Sequence, residues 1–334
     1  MTSRQPGEHK DPLAAAASPL PAELRPHAGP IAILPEPTAA IESAVRDAGG
    51  TVAPLGDDTK AVVWLSGPSA TLRGVLAEHP GVEWVQLPLA GVESHAGLFS
   101  DYADKTYPLW TSAKGAYSEP VAEHALALTL GMLRQLPDKA RSASWQVPRQ
   151  GLSLYGMRVA IVGAGGIAVE LIRLLEPFET HITIVRRSPG DVPGADRTVT
   201  SDRLAEVLAE SDVVVLAAAT TDESRKMIGA EELAAMKPTA VLVNIARGAL
   251  IDSDALLASL DSGHLWGVGL DVTDPEPLPD GHPLWNHPRC VVTSHSADTD
   301  EQVEPLLAAR VRHNVAALLG GGDFIGIVDP GARY

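Results

Sequence analysis

The residues best suited by type and spacing to do chemistry begin at Gly163-Ala-Gly165-Gly166-Ile167-Ala168, between the apolar run 159–162 and a helix-forming segment at 169–175. In a strand-to-helix turn, Gly163 permits the tight exit, Gly165 lets an anion approach the backbone, and small Ala168 allows close helix packing. The helix start, at Gly166 and Ile167, then offers N–H groups without intrahelical partners and a partial positive charge. That is a layout for the pyrophosphate of a dinucleotide.

A second feature selects the dinucleotide. An acidic residue roughly 20 positions beyond the glycines binds ribose hydroxyls, whereas an arginine there accommodates a 2′-phosphate. Arg186 stands 21 positions after Gly165, Arg187 follows it, and no Asp or Glu occurs between His181 and Gly190. NADP(H) is therefore the preferred cofactor, with NAD(H) left open.

Three polar landmarks follow, each closing an apolar run: Asn244-Ile-Ala246-Arg247-Gly248, Asp271-Val-Thr-Asp-Pro-Glu276-Pro277 and Thr293-Ser294-His295-Ser296. A guanidinium can bind a carboxylate through two parallel hydrogen bonds, and an imidazole can exchange a proton near neutral pH. Strand ends are where an open α/β sheet gathers such groups.

The elements that must position these residues are short apolar runs separated by helix-compatible segments. Runs at 31–34, 61–65 and 84–87 form one series, and runs at 159–162, 181–185, 212–218, 240–245, 266–270 and 290–293 form another. The alternation predicts βαβ units and two doubly wound parallel sheets, a fold of two Rossmann-like α/β domains. Between the series, Pro120 lies in the first turn of an expected helix with apolar positions Val121, Ala125, Leu128, Met132 and Leu136. That helix would bridge the domains. A closing helix at 301–319 would return to the first domain, leaving the larger one as an insertion.

Composition narrows the class. At 334 residues the chain is long enough for two domains, and a formal charge of −16 argues against nucleic acid or an anionic membrane as partner. Cys290 is the single cysteine, which excludes an intrachain disulfide and suits a reducing, cytoplasmic setting. His282, His287 and Cys290 lack a compelling fourth ligand, so no metal is expected. Residues 1–30, rich in Pro and Ala, lack signal-peptide character and read as a flexible extension.

Together the glycine turn and the three landmarks resemble the D-isomer-specific 2-hydroxyacid dehydrogenase family, which includes glyoxylate/hydroxypyruvate reductases. The resemblance extends from residue 31 to the C-terminal helix. It includes Gly115-Ala-Tyr-Ser-Glu-Pro-Val-Ala-Glu123, similar to the start of the family's interdomain helix, and Leu87-Pro-Leu-Ala90-Gly91-Val92, similar to its substrate-carboxylate loop. It implies a substrate domain from 31–113 and 296–334, and a dinucleotide-binding domain from 114–295.

The same resemblance implies roles. His295 would deliver a proton to the carbonyl oxygen of a small 2-keto acid, while a hydride comes from the nicotinamide. Glu276 would hydrogen-bond the other imidazole nitrogen, fixing the ring and favouring its protonated form. Arg247 would bind the substrate carboxylate and polarise the carbonyl. Asp271 would receive the nicotinamide carboxamide, with Ala246 among the cofactor contacts. Ala90, Gly91 and Val92 would hold the substrate carboxylate through backbone amides, and Trp285 would form a pocket wall. Domain closure would bring that loop against the nicotinamide.

Two departures bear on these roles. The family usually carries proline before the histidine, where this chain has Ser294, so the loop is expected to be less restricted. Three phenylalanines leave few aromatics for a bulky pocket, which favours glyoxylate or hydroxypyruvate. A homodimer through the larger domain is implied by the resemblance alone. A dinucleotide-responsive, corepressor-like interaction protein is the alternative from a different class, since the fold also serves binding.

Overall fold

Hydrophobic runs that read as strands do form strands, and they sort into two sheets lying in separate compact units. The structure, a computed structural model, describes residues 17–145 and 149–331. Among the described residues, one unit comprises 17–118 and 299–331, and the other lies within 119–298.

The discontinuous unit contains β1 (Ala17–Ser18), β2 (Ile31–Leu34), β3 (Ala61–Trp64), β4 (Trp84–Gln86) and β5 (Leu109–Thr111). Strands β2 to β5 form a parallel sheet in chain order. Every residue of β3 is buried, as expected for a sheet covered on both faces. Helix Ala39–Asp47, capped by the Thr38 hydroxyl, packs against the returning helix Asp300–Leu318. Fully buried Asn314 on that helix donates to Gln86 Oε1 at 2.8 Å and pairs with the backbone of Ile325. One amide thus ties the last helix to β4 and to the strand Phe324–Ile325.

The expectation of a flexible N-terminal extension is corrected for residues 17–30. There, β1 pairs antiparallel with Phe324–Ile325, and Arg25 Nη2 donates to Asp323 Oδ1 at 2.8 Å and to the Gly322 carbonyl at 2.9 Å. The His27 amide donates to Glu83 Oε2 at 2.8 Å, and Lys60 Nζ donates to Glu83 Oε1 at 2.8 Å. Burial alone would raise the Glu83 carboxyl, but these hydrogen bonds hold it below its ordinary value. Long-range polar contacts therefore order a segment whose composition predicts little structure. The rest of that extension, residues 1–16, lies outside the described residues.

The continuous unit contains β6 (Arg158–Val162), β7 (His181–Arg186), β8 (Arg197–Thr200), β9 (Val213–Leu216), β10 (Val241–Asn244), β11 (Gly267–Leu270) and β12 (Cys290–Val292). They form one parallel sheet in the order β12-β11-β10-β9-β6-β7-β8. The chain moves outward from β6 to β8, then returns to β9 on the other side of β6. That reversal is the switch point at which open α/β sheets form a ligand crevice. Because the strands are parallel, their carboxyl ends share one edge, and Gly163, Arg187, Ile245, Asp271 and Thr293 each immediately follow a strand.

Helix Ser118–Leu133 packs on this sheet: a Cβ added at Gly269 of β11 would lie 3.0 Å from Leu128 Cβ. The helix ends before Leu136, contrary to the apolar periodicity. Gln135 takes a left-handed φ of 53°, and Leu136, which is 55% exposed, opens a separate short helix, Leu136–Arg141.

Candidate active site

The glycine turn has the geometry its spacing predicts. Gly163 follows the buried end of β6 with φ 118°, and a Cβ there would lie 2.4 Å from the Ala217 carbonyl oxygen, so only glycine fits. Gly165 is the N-cap of helix Gly166–Leu175, where no side chain caps the first turn. A Cβ on Gly165 would meet nothing within 4 Å, so the space its missing side chain leaves is not filled by the protein. Ala168 is fully buried against the sheet. Thr220 Oγ1, in the loop after β9, is buried without a hydrogen-bond partner. An open cradle, helix amides and an orphaned hydroxyl fit the phosphates of a dinucleotide. Gly163, Gly165, Gly166 and Ile167 are the residues that would hold them.

Arg186 ends β7 and donates from Nη1 to the Gly190 carbonyl at 3.4 Å, while the neighbouring Arg187 is exposed. Both occupy the strand end predicted for a 2′-phosphate contact.

The Arg247 loop is fixed by a residue to which the sequence assigns no separate role. Fully buried Asn244, at the end of β10, donates from Nδ2 to the Arg247 carbonyl at 2.8 Å and accepts from the Ala246 amide at 3.1 Å. Arg247 Nη1 donates to the Ala246 carbonyl at 2.6 Å. Local hydrogen bonds therefore use both polar groups of the Ala246 backbone. Gly248 lets this loop approach its neighbour: a Cβ there would lie 1.9 Å from the Thr273 carbonyl carbon and 2.5 Å from the Asp274 nitrogen.

The last two strand ends build a cavity of about 290 Å³ whose lining includes Asp271, Glu276, Pro277, Leu278, Trp285 and His295. His295 Nδ1 lies 2.6 Å from Glu276 Oε1, and both side chains remain about half exposed. With Nδ1 engaged by the carboxylate, Nε2 is the nitrogen left for proton exchange. The Trp285 indole donates to the Pro279 carbonyl at 3.0 Å, which fixes that wall. Arg247 is not in the cavity lining; it sits one strand away, on the β10 end that Gly248 presses against Thr273 and Asp274.

Asp271 is held by partners within its own unit. Only 1% exposed, its carboxylate accepts from Thr293 Oγ1 at 2.6 Å, the Ser296 amide at 2.9 Å and the Ala297 amide at 3.2 Å. Three hydrogen bonds from this chain's own loop thus fix its carboxylate, which also lines the cavity. His124 also acquires companions that its sequence neighbours do not reveal. Its Nε2 lies 2.9 Å from Thr293 Oγ1 and 3.5 Å from Asp271 Oδ1. The sequence around His124, on a helix that also carries Glu119, Glu123 and Thr129, gave no signal of these contacts.

The substrate-loop candidates belong to the other unit. There Tyr117 Oη donates to the Pro88 carbonyl at 2.5 Å and the Ala113 amide to the Leu89 carbonyl at 3.0 Å. Ala90 is exposed and Gly91 half-buried, but the Val92 side chain is 4% exposed and packs in that unit's core. Any contact by Val92 with a substrate is thus a matter for its backbone.

Other reactive groups have structural surroundings. Burial pushes the Cys290 thiol up to about 12, which makes it a poor nucleophile. The Nδ1 atoms of His282 and His287 accept backbone hydrogen bonds from Leu284 and Arg289. Among the described residues no cluster of three or more His, Cys, Asp or Glu could hold a metal, and no helix is long and apolar enough to cross a membrane.

Comparison with known proteins agrees with this geometry. A family model described as the D-isomer specific 2-hydroxyacid dehydrogenase NAD binding domain matches residues 125–297. An uncharacterized protein of Corynebacterium melassecola is 37% identical over 260 residues, covering 76% of this chain and 84% of its own length. A glyoxylate reductase of Pyrococcus furiosus is 34% identical over 224 residues, 63% of this chain and 66% of that enzyme, just under two thirds of its length. The crystal structure of a D-isomer specific 2-hydroxyacid dehydrogenase from Xanthobacter autotrophicus, in complex with NADPH and MES, matches with a TM-score of 0.75. It is 26% identical and covers 92% of this chain and 100% of its own.

Proposed function

We infer the reaction from one premise: the chain belongs to the D-isomer specific 2-hydroxyacid dehydrogenase family. The reading is an NAD(P)-dependent oxidoreductase, NADP(H)-preferring, that reduces a small 2-keto acid of the glyoxylate or hydroxypyruvate kind to the D-2-hydroxy acid. The observation that carries it is the His295–Glu276 pair at a cavity on the carboxyl edge of a sheet whose glycine turn fits a dinucleotide.

A nicotinamide dinucleotide held at Gly163, Gly165, Gly166 and Ile167 would supply the hydride for the carbonyl carbon. The protein must then donate a proton to the carbonyl oxygen, and His295 Nε2 does so while Nδ1 stays hydrogen-bonded to Glu276. The Glu276 carboxylate accepts from Nδ1 and keeps the ring from rotating. Arg247 binds the substrate carboxylate and stabilises negative charge developing on the carbonyl oxygen. Trp285 bounds the side of the pocket.

Arg186 and Arg187 support the NADP(H) preference, since a guanidinium pairs with a phosphate dianion better than with ribose hydroxyls. NADPH in the complexed Xanthobacter relative is consistent with it. A cytoplasmic homodimer formed through the nucleotide-binding unit completes the proposal. Fully exposed Trp145 and half-exposed Leu136 give that unit apolar surface suited to association.

The test is initial-rate measurement with a panel of 2-keto acids against NADPH and NADH. Fastest turnover with glyoxylate or hydroxypyruvate and NADPH is expected. Equal or better use of NADH would overturn the cofactor preference. NADPH binding without turnover of any keto acid would favour the interaction-protein alternative.

A further inference from the structure

We propose that Asp271 is the positioning residue for His295, holding it through a paired left-handed turn at Ser294 and His295 that this chain can form because residue 294 is not proline. The proposal rests on the reading of His295 as proton donor and goes beyond it by assigning what fixes the imidazole.

Ser294 and His295 have φ values of 54° and 55°. Two consecutive side-chain-bearing residues in the left-handed region persist only where surrounding contacts over-determine the backbone. Asp271 supplies most of those contacts. Its carbonyl accepts from the His295 amide at 2.6 Å, and its carboxylate accepts from the Ser296 and Ala297 amides on the far side of the turn. On the near side, Thr293 Oγ1 donates to Asp271 Oδ1 at 2.6 Å, while the Thr293 amide donates to the Leu270 carbonyl at 2.9 Å. Ser296 Oγ also donates back to the Thr293 carbonyl, closing the turn on itself. One buried side chain and its own carbonyl thus bind the loop before, at and after His295.

The second contact of Thr293 follows from proton counting. A hydroxyl carries one hydrogen, and Thr293 donates it to Asp271, so toward His124 it can only accept. His124 Nε2, 2.9 Å away, therefore carries a proton and donates it. His124, on the helix packed across β11, buttresses the turn from behind. Asp271 cannot shift without breaking hydrogen bonds on both sides of His295, and any such shift moves the imidazole relative to Glu276.

Proline holds φ near −65° and has no amide hydrogen, so it cannot adopt the Ser294 conformation. The sequence suggests that losing the usual proline loosens the loop. The geometry points the other way: serine admits a turn that Asp271 then fixes.

The test uses the full-length protein and the variants Ser294→Pro, Ser294→Gly, Asp271→Asn and Thr293→Val. Ser294→Pro should lower kcat about 100-fold, as expected for a displaced catalytic group. Ser294→Gly, with easy access to positive φ, should keep a third or more of wild-type kcat. Asp271→Asn, whose amide nitrogen cannot accept, should lower kcat with NADPH affinity within about threefold of wild type, and Thr293→Val should do so to a lesser degree. Histidine side-chain ¹⁵N NMR supplies a readout independent of turnover: the His295 Nδ1 signature of hydrogen bonding to Glu276 should persist in Ser294→Gly and vanish in Ser294→Pro and Asp271→Asn.

Wild-type kcat and NMR signature in Ser294→Pro would overturn the proposal. So would an Asp271→Asn variant with normal kcat and weakened NADPH binding, which would assign Asp271 to cofactor contact. If Ser294→Pro does not fold, Asp271→Asn and Thr293→Val decide. If the wild type reduces no 2-keto acid, the functional reading fails while the NMR comparison still decides the positioning role.

Discussion

Glu276 Oε1 stands 2.6 Å from His295 Nδ1, although the two residues are 19 positions apart and on different loops. The carboxylate can act on the imidazole both as an orienting acceptor and as a charge. Glu276→Gln separates these actions, because the amide oxygen can still accept from Nδ1 but carries no charge. We expect kcat for keto-acid reduction to fall about 10- to 100-fold across the pH range in which the wild type is active. A pH–rate profile of both proteins checks this, and coincident profiles would show that the charge is not used.

Gly248 marks where the Arg247 loop presses on the loop leading to Glu276. Gly248→Ala would place a methyl group 1.9 Å from the Thr273 carbonyl carbon, so backbone must move. The expected loss is about 1–3 kcal/mol of stability, together with a lower kcat/KM, since the displaced segment carries Glu276. Denaturant unfolding and steady-state kinetics measure the two effects. Unchanged values for both would mean that the two loops are not coupled there.

The arginines at the end of β7 should act on one cofactor and spare the other. Replacing Arg186 and Arg187 together by Ala is expected to weaken NADPH binding about 10- to 100-fold, the scale of one or two lost charged hydrogen bonds, with NADH within about threefold. Fluorescence titration with each dinucleotide distinguishes this from general damage, which would weaken both equally.

Much of the nucleotide-binding unit was legible because its strands are continuous apolar runs and its glycine turn has a steric reason at each position. Gly163 at φ 118°, pressed against Ala217, is the clearest case. Strand β8 was not legible: Arg197-Thr-Val-Thr200 is half-buried throughout and carries little hydrophobic signal at the sheet edge. Strand β5 escaped because Leu109 and Trp110 lie between Pro108 and polar Thr111 and Ser112, which leaves no longer apolar run to read. The helix Ser118–Leu133 looked longer than it is because Leu136 keeps the apolar spacing after Gln135 has left helical geometry.

At the site, the Arg, Glu and His landmarks could be read from residue type and order, but their hydrogen-bond partners could not. Asp271 contacts residues 22 to 26 positions away, through bonds set by the alignment of β11 with β12 and by the turn after β12. No local pattern encodes that alignment. His124 joins the same network across 169 positions. The order of residues 17–30 likewise depends on Arg25 reaching Asp323, 298 positions away, which composition does not reveal.

The central claim is that His295 delivers the proton in a dinucleotide-dependent reduction, and NADPH oxidation by wild type and His295→Gln in the presence of glyoxylate or hydroxypyruvate tests it most directly. The expected result is a loss of kcat of about 100-fold or more in the variant, with NADPH affinity near that of wild type. Turnover by His295→Gln at the wild-type rate would contradict the account.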